Sequence, residues 1–215
     1  MIRAVLSSRK ALQTLTSISR SASPGPSPVF TPVHVSRALL LIGDEGPIGR
    51  IELSRRLGLG EGAVRTIIKH LGRNFVNAAK EGCVLTDRGA ALYKSMRAKL
   101  SQVRLVNARE LALDKASAAI LVKGSGRRVR RGIEQRDASV RAGGTGACTL
   151  ICRGGKLVMP MGDDEKWTLA PHDLLFENLR AQFSPTDDDV IVIVGARSEE
   201  LAEHCAVAAA LTLLA

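Results

Sequence analysis

Aromatic side chains are scarce in this sequence of 215 residues. They make up only 3% of it, which weakens any mode of binding that stacks bases on aromatic rings. The six are Phe30, Phe75, Tyr93, Trp167, Phe176 and Phe183. Long apolar runs are missing as well. A membrane helix needs about 18–20 such residues, and the longest candidate, 205–215, is too short. We therefore expect no membrane partner.

Histidine and cysteine are few and poorly placed for metal binding. A zinc finger needs two pairs of ligands at a characteristic spacing. The four cysteines (83, 148, 152 and 205) and the four histidines (34, 70, 172 and 204) do not provide them. We expect buried thiols in a reducing cytoplasm, and neither a metal nor a cofactor. The acidic run 187–189 is typical of a solvated loop. No nucleophile-and-base set is recognisable, so the sequence does not predict an enzyme.

Positive charge is concentrated in the first half of the chain. The formal net charge is +10. Residues 1–105 hold 17 Lys and Arg against six Asp and Glu, a net charge of +11, whereas residues 106–215 hold 14 against 15, a net charge of −1. This asymmetry favours a polyanion-binding module joined to a second domain. The alternative is a charge that only keeps the protein in solution.

Residues 1–32 are basic, rich in serine and free of acidic residues. The Pro-rich stretch 21–28 does not suit a helix. We expect a disordered basic tail outside the fold. An organelle transit peptide and a start codon placed too far upstream are the other interpretations.

Residues 33–105 have the pattern of three short helices, a hairpin and a fourth helix. Apolar residues recur at helical spacing in the first helix, in a second marked by Ile51, Leu53 and Leu57, and in a third over 61–72. Gly58 and Gly72 are placed to end the second and third helices. A basic turn at 80–82 joins two short strands, and Thr86 or Asp87 caps a fourth helix over 88–105.

The outer face of the third helix carries small, basic and hydroxyl side chains that suit the major groove of double-stranded DNA. The second helix would cross the phosphate backbone, and the hairpin would reach the minor groove or the backbone. The predicted DNA contacts are Ser54, Arg55, Arg56, Gly62, Arg65, Thr66, Lys69, Arg73, Lys80 and Arg88. A winged helix used only for protein contacts is the alternative.

Segment 48–71 contains Leu53-Ser54, Leu57-Gly58-Leu59, Ala63-Val64-Arg65 and Leu71, and it is followed by Gly82-Cys-Val-Leu-Thr-Asp-Arg-Gly89. Together these two segments resemble the winged helix-turn-helix of prokaryotic transcription regulators. The resemblance covers residues 33–105 and implies DNA binding. In one departure, Gly60 stands where that family usually has a capping Ser or Thr.

Residues 106–215 predict strand, helix, strand, strand, helix, strand and helix, a two-layer α/β sandwich. The strands lie at 117–122, 147–152, 156–160 and 190–194, and the helices at 127–142, 172–183 and after Ser198. In the first of these helices the large apolar residues are Val129, Ile133 and Val140. The fold class is thus α+β, an N-terminal winged helix-turn-helix followed by this sandwich.

The helix at 127–142 is rich in side chains that bind anions. Arg136 is a candidate clamp for a small anionic metabolite, with Asp137 orienting it. The full candidate set is Lys123, Arg131, Glu134, Gln135, Arg136, Asp137 and Lys156. The alternative is a solvated face with ion pairs along the helix.

The motif Gly132-Ile-Glu-Gln-Arg-Asp-Ala138 after a winged helix resembles an archaeal family with an uncharacterised C-terminal domain. That domain is similar to inserts in tRNA-related amidotransferases and synthetases. We expect a homodimeric DNA-binding transcription regulator whose second domain binds an effector or dimerises. The alternatives are a protein that binds RNA in translation and a metabolite enzyme with an autoregulatory winged helix.

Overall fold

The computed structural model describes residues 7–19, 28–108, 111, 114–160, 168–169 and 174–214. The chain forms two compact units, Met1–Ala98 and Lys99–Ala215. Helices dominate the first and one large sheet the second, so the predicted α+β class is confirmed. The boundary lies seven residues before the predicted one, at 98 instead of 105.

The N-terminal unit has the element order of a winged helix. Its elements are α1 (Ser8–Ser19), α2 (Pro32–Glu45), α3 (Arg50–Leu57), α4 (Glu61–Phe75), β1 (Val76–Ala79), β2 (Gly82–Leu85) and α5 (Asp87–Arg97). The predicted stripe of α2 is buried throughout, and α3 ends at Gly58 in the left-handed conformation. Ile51 is an exception, because it is exposed on the outer side of α3.

The prediction of a disordered tail over 1–32 is wrong for α1. Ala11 and Leu15 are fully buried, and the helix packs against α2, α4 and α5. Their spacing of four residues puts both side chains on one face, which lets a basic helix contribute to the core. Residues 1–6 and 20–27 of the tail lie outside the described part of the chain.

The hairpin forms as predicted. Antiparallel β1 and β2 pair from Val76 opposite Leu85 to Ala79 opposite Gly82, and Lys80 and Glu81 form the turn. Ile48 adds a bridge to Cys83 on the other side of β2. Gly82 has a φ of 134°, and a Cβ there would lie 2.9 Å from the backbone of Ile48, so only glycine fits this crossing.

Helix α5 is shorter than predicted. Thr86 caps it by accepting a hydrogen bond from the amide of Gly89, but the helix ends at Arg97 rather than at 105. Leu100 continues the helical spacing of Leu92 and Met96, yet it forms a bridge to Val122 in the C-terminal unit. Periodicity alone could not separate these two outcomes, because a single buried leucine fits both a helix and a strand.

Six antiparallel strands form the sheet of the C-terminal unit, in the order β3-β4-β8-β5-β6-β7. The strands are β3 (Arg104–Leu105), β4 (Ala116–Val122), β5 (Gly146–Arg153), β6 (Lys156–Met159), β7 (Thr168–Leu169) and β8 (Val190–Ala196). The helices are α6 (Ile133–Arg141), α7 (Leu174–Phe183) and α8 (Glu199–Leu211). The predicted order of the main elements is confirmed.

Helices cover both faces of this sheet, so the C-terminal unit has three layers instead of the predicted two. On one face α7 packs Leu175, Phe176 and Leu179 against Leu150 and Ile191. On the other face α8 packs its alanines against β4 and β8, with α6 beside it. Every residue of β8 is buried, as expected for a strand at the centre of a sheet covered on both sides.

Helix α6 begins at Ile133, six residues later than predicted, after a single 3-10 turn at Gly126–Arg128. Of the three large apolar residues in the predicted helix, only one is buried. Val129 is buried, but Ile133 is 42% and Val140 49% exposed. Gln135, Ala138 and Ser139 face the interior instead.

In the described part of the chain, no helix combines the length and the apolar character that a membrane crossing requires.

Candidate nucleic-acid interface

Helix α4 separates its apolar and basic sides cleanly. Val64, Ile67 and Leu71 are buried in the core of the N-terminal unit, while Arg65 and Lys69 are exposed on the opposite side. Among the described residues, no carboxylate forms an ion pair with either cation. Their charge is therefore available to an external anion.

Glycine stands at both ends of the regular part of α4, at Gly60 and at Gly72. Gly60 is the N-cap and contributes no side-chain hydrogen bond, while Gly62 is exposed in the first turn. Thr66 donates its hydroxyl to the carbonyl of Gly62 at 3.0 Å. The helical backbone breaks at Gly72, which has a φ of 55°, and Arg73 follows the break on the exposed side.

The hairpin adds a basic projection after α4. Lys80 is exposed in the turn between β1 and β2, and Asn77 is exposed on β1. Arg88 is exposed in the first turn of α5. These two cations therefore occupy the tip and the base of the wing, as predicted.

The three predicted contacts on α3 each have a partner within the protein, and their part in DNA binding stays a prediction. Ser54 donates its hydroxyl to the carbonyl of Leu59 and so closes the turn between α3 and α4. Arg55 grips Glu52 with two nitrogens, at 2.6 and 3.0 Å, and this hydrogen bonding lowers the pKa of Glu52. Arg56 lies 3.0 Å from Glu45 on α2.

One contact that the sequence analysis missed positions α4 from its flank. His70 donates from Nδ1 to the carbonyl of Ile18 on α1 at 2.9 Å. Phe30 meets the same ring edge-on, with the two ring centroids 5.4 Å apart. The spacing of Ala11, Leu15 and Ile18 was the signal in the sequence that α1 could pack in this way.

A half-buried ion pair joins α2 to α5 behind this surface. Arg97 donates two hydrogen bonds to the carboxylate of Asp44, and the Tyr93 hydroxyl donates to the same carboxylate at 2.7 Å. Gly43 lies against the Tyr93 ring, where a Cβ would come within 2.3 Å of a ring carbon. These contacts hold the helices that carry α4, and they do not form part of its exposed face.

Most residues of the predicted anion site lie exposed on the surface of the C-terminal unit. Arg136 pairs with its neighbour Asp137 at 3.0 Å on the surface, while Gln135 is buried and donates to the Thr212 hydroxyl at 2.8 Å. The other four candidates, Lys123, Arg131, Glu134 and Lys156, are exposed. A recess of about 300 Å³ lies elsewhere, between Leu105, Asp114, Ser117 and Glu199.

The acidic run at 187–189 is structural. Asp189 is buried and accepts hydrogen bonds from the amides of Gly124 and Thr186, each at 2.8 Å. Asp188 pairs with Arg153 at 3.2 Å, and Asp187 accepts from the amide of Gly154. The solvated loop expected from the sequence is thus a junction between the ends of β4, β5 and β8.

The cysteines do not have the surroundings of reactive thiols. Burial raises the pKa of Cys148 to about 11, so this thiol stays protonated at neutral pH. Cys83, Cys152 and Cys205 are buried. The described residues contain no group of three or more Cys, His, Asp or Glu side chains arranged to hold a metal ion.

Comparison with known proteins gives a family match within the second unit and a likeness in fold over most of the chain. Residues 113–213 match a family described as a domain of unknown function (DUF4443). A solved structure, a hypothetical protein from the archaeon Pyrococcus horikoshii OT3 (PH0730), is similar with a TM-score of 0.66 and 24% identity over 86% of this chain and 92% of that one. No curated protein matches the chain. At this identity the solved structure bears on the fold alone.

Proposed function

We propose that this protein binds double-stranded DNA through α4 and the β1–β2 hairpin and acts as a transcription regulator. The observation that carries the proposal is the exposed face of α4, where Arg65 and Lys69 have no acidic partner among the described residues. An α-helix fits the major groove, where arginine binds guanine or phosphate and lysine binds phosphate.

The rest of the N-terminal unit supports this interface. The wing presents Lys80 and Arg88 next in sequence to α4, and the balanced charge of residues 106–215 leaves the positive excess in the first half. Release of counterions from the phosphates makes such binding strongly salt-dependent. Two copies are expected on one site, since a single winged helix contacts few base pairs.

The proposal is tested by fluorescence anisotropy with the full chain and a labelled duplex of random sequence, at several salt concentrations. We expect Arg65→Ala with Lys69→Ala to weaken binding at least about thirtyfold and to flatten the salt dependence by roughly one to two phosphate contacts. Single-stranded and structured RNA of equal length compete in parallel reactions. Preferential binding of RNA would favour the alternative role in translation.

The matched control is Arg127→Ala with Arg141→Ala. It removes two positive charges that are exposed in the C-terminal unit, outside the proposed interface. We expect a change of less than about threefold, since only the general attraction of the protein to DNA falls. Equal losses for the two double variants would show that net charge, rather than α4, governs binding.

A further inference from the structure

The outer face of α6 combines two exposed apolar side chains with one ion pair. Ile133, Arg136, Asp137 and Val140 follow the spacing i, i+3, i+4 and i+7, so they share one side of the helix. Ile133 and Val140 are 42% and 49% exposed. Arg136 and Asp137 lie between them and contact each other at 3.0 Å.

The inner face of the same helix carries polar side chains. Gln135 is 2% exposed, and its Oε1 has no hydrogen-bond partner among the described residues. Ser139 is fully buried and donates to the carbonyl of Gly146. A surface helix normally turns its apolar side inward. Helix α6 departs from this rule, because two of its apolar side chains, Ile133 and Val140, face outward. This departure indicates that the outer face of α6 is covered by another protein surface.

We propose that a second copy of this chain covers it, with α6 packed antiparallel against its symmetry mate. A two-fold axis between positions 136 and 137 brings Ile133 of one copy opposite Val140 of the other and Arg136 opposite Asp137. The pattern is complementary to itself, which is the requirement of a two-fold interface. An unrelated partner would not require it.

The four residues also fit such a contact in chemical type. Apolar pairs at the two ends enclose a central group of two arginines and two aspartates, so each charge has opposite charges on both its own helix and the other. Helix α6 has nine residues and is about 13 Å long. A face of this size belongs to the weak class of interfaces, and we expect a dissociation constant on the order of micromolar.

This inference deepens the dimer in the proposed function without depending on contact with DNA. Sedimentation velocity of the full chain over a wide range of concentrations measures it. We expect a dimer at tens of micromolar, roughly in line with a weak interface. The reversals Arg136→Asp and Asp137→Arg should each raise the dissociation constant at least about tenfold, because like charges then face each other across the axis.

The decisive variant combines both reversals. It restores opposite charges across the axis, so its dissociation constant should return to within about threefold of the parent chain. A combined variant as weak as the single ones would overturn the inference. All positions are surface residues, and circular dichroism checks the fold of each variant.

Ile133→Ser and Ile51→Ser separate this face from exposed apolar residues in general, because Ile51 is exposed on α3 in the other unit. Only the first should weaken the dimer. A chain that is monomeric at every concentration, or a dimer that depends on Ile51 and not on α6, contradicts the inference. Binding to DNA that depends on Arg65 and Lys69 would stand in either case.

Discussion

Helices α4 and α6 differ in the kind of side chain that they bury. Helix α4 buries Val64, Ile67 and Leu71 and exposes cations, whereas α6 buries Gln135 and Ser139 and exposes Ile133 and Val140. The order of α4 is that of a helix whose outer face meets water or a charged ligand. The order of α6 suits a helix with a second protein surface outside it. The comparison shows that hydrophobic spacing identifies an apolar face, but not what covers that face.

The largest expected effect is on the free energy of unfolding, when one isoleucine on each helix is replaced by alanine. Ile67→Ala removes a side chain that is fully buried, so we expect the free energy of unfolding to fall by about 3 kcal/mol. Ile133→Ala removes a side chain that is 42% exposed, and for the monomer we expect a change below about 0.5 kcal/mol. Urea unfolding at low protein concentration measures both values.

Similar losses for the two variants would contradict this comparison. A large loss at Ile133 in dilute protein would mean that α6 buries this side chain within a single chain. A larger loss at Ile133 that develops only at high concentration would instead reflect dissociation of the dimer, since stability then includes association.

Much of the N-terminal unit could be predicted from the sequence because its elements obey simple local rules. The buried stripes of α2 and α4, the stop at Gly58 and the cap at Thr86 are confirmed. Each depends on neighbours within a few residues. The packed helix α1 was missed because the basic, serine-rich composition around it outweighed a short apolar stripe.

The candidate site was less predictable, because the partners of charged residues come from other elements. Arg56 pairs with Glu45, eleven positions away, and Asp189 accepts a hydrogen bond from the amide of Gly124, 65 positions away. Sequence spacing does not reveal such contacts. The same limit applies to α6, where the inward face depends on Thr212 and Gly146 rather than on the helix itself.

Acid should lower the stability of the N-terminal unit through protonation of His34. We expect this effect to be smaller than that of Ile67→Ala. His34 accepts the amide of Thr31 at Nδ1 at the start of α2, and burial, with a smaller effect of Arg37, lowers the pKa of His34 to about 4. The unfolded state, with a pKa near 6.5, binds protons more readily. This contribution to stability is complete above about pH 6.5 and is lost as the pH falls toward 4, by on the order of 2 kcal/mol.

Hydrogen exchange measured by mass spectrometry on peptides from α2 follows this loss. The matched variant is His34→Gln, whose side-chain oxygen also accepts the Thr31 amide but does not titrate in this range. We expect the parent chain to lose protection between pH 6.5 and 4 and the variant to lose much less, after correction for intrinsic exchange rates. Identical curves would assign the acid sensitivity to another group.

The smallest effect compares two arginines that differ in their partners. Arg65 on α4 has no acidic partner among the described residues, whereas Arg55 on α3 is held by Glu52 at 2.6 Å. Arg65→Ala should weaken binding to duplex DNA about tenfold. Arg55→Ala also removes one charge, but we expect less than a threefold loss, because Glu52 already neutralises it locally. Anisotropy titrations at one fixed salt concentration measure both.

Reversal of this order would place α3 rather than α4 at the DNA, and Glu52→Gln provides the check. This variant frees Arg55 from its ion pair and removes a negative charge near the duplex. If α3 lies close to the backbone, Glu52→Gln should strengthen binding by more than the loss of one charge at a distant site. If α4 alone faces the groove, the gain should match that of a neutralised carboxylate in the C-terminal unit, such as Glu177→Gln. The availability of a cation, more than its presence in the sequence, then determines which helix binds DNA.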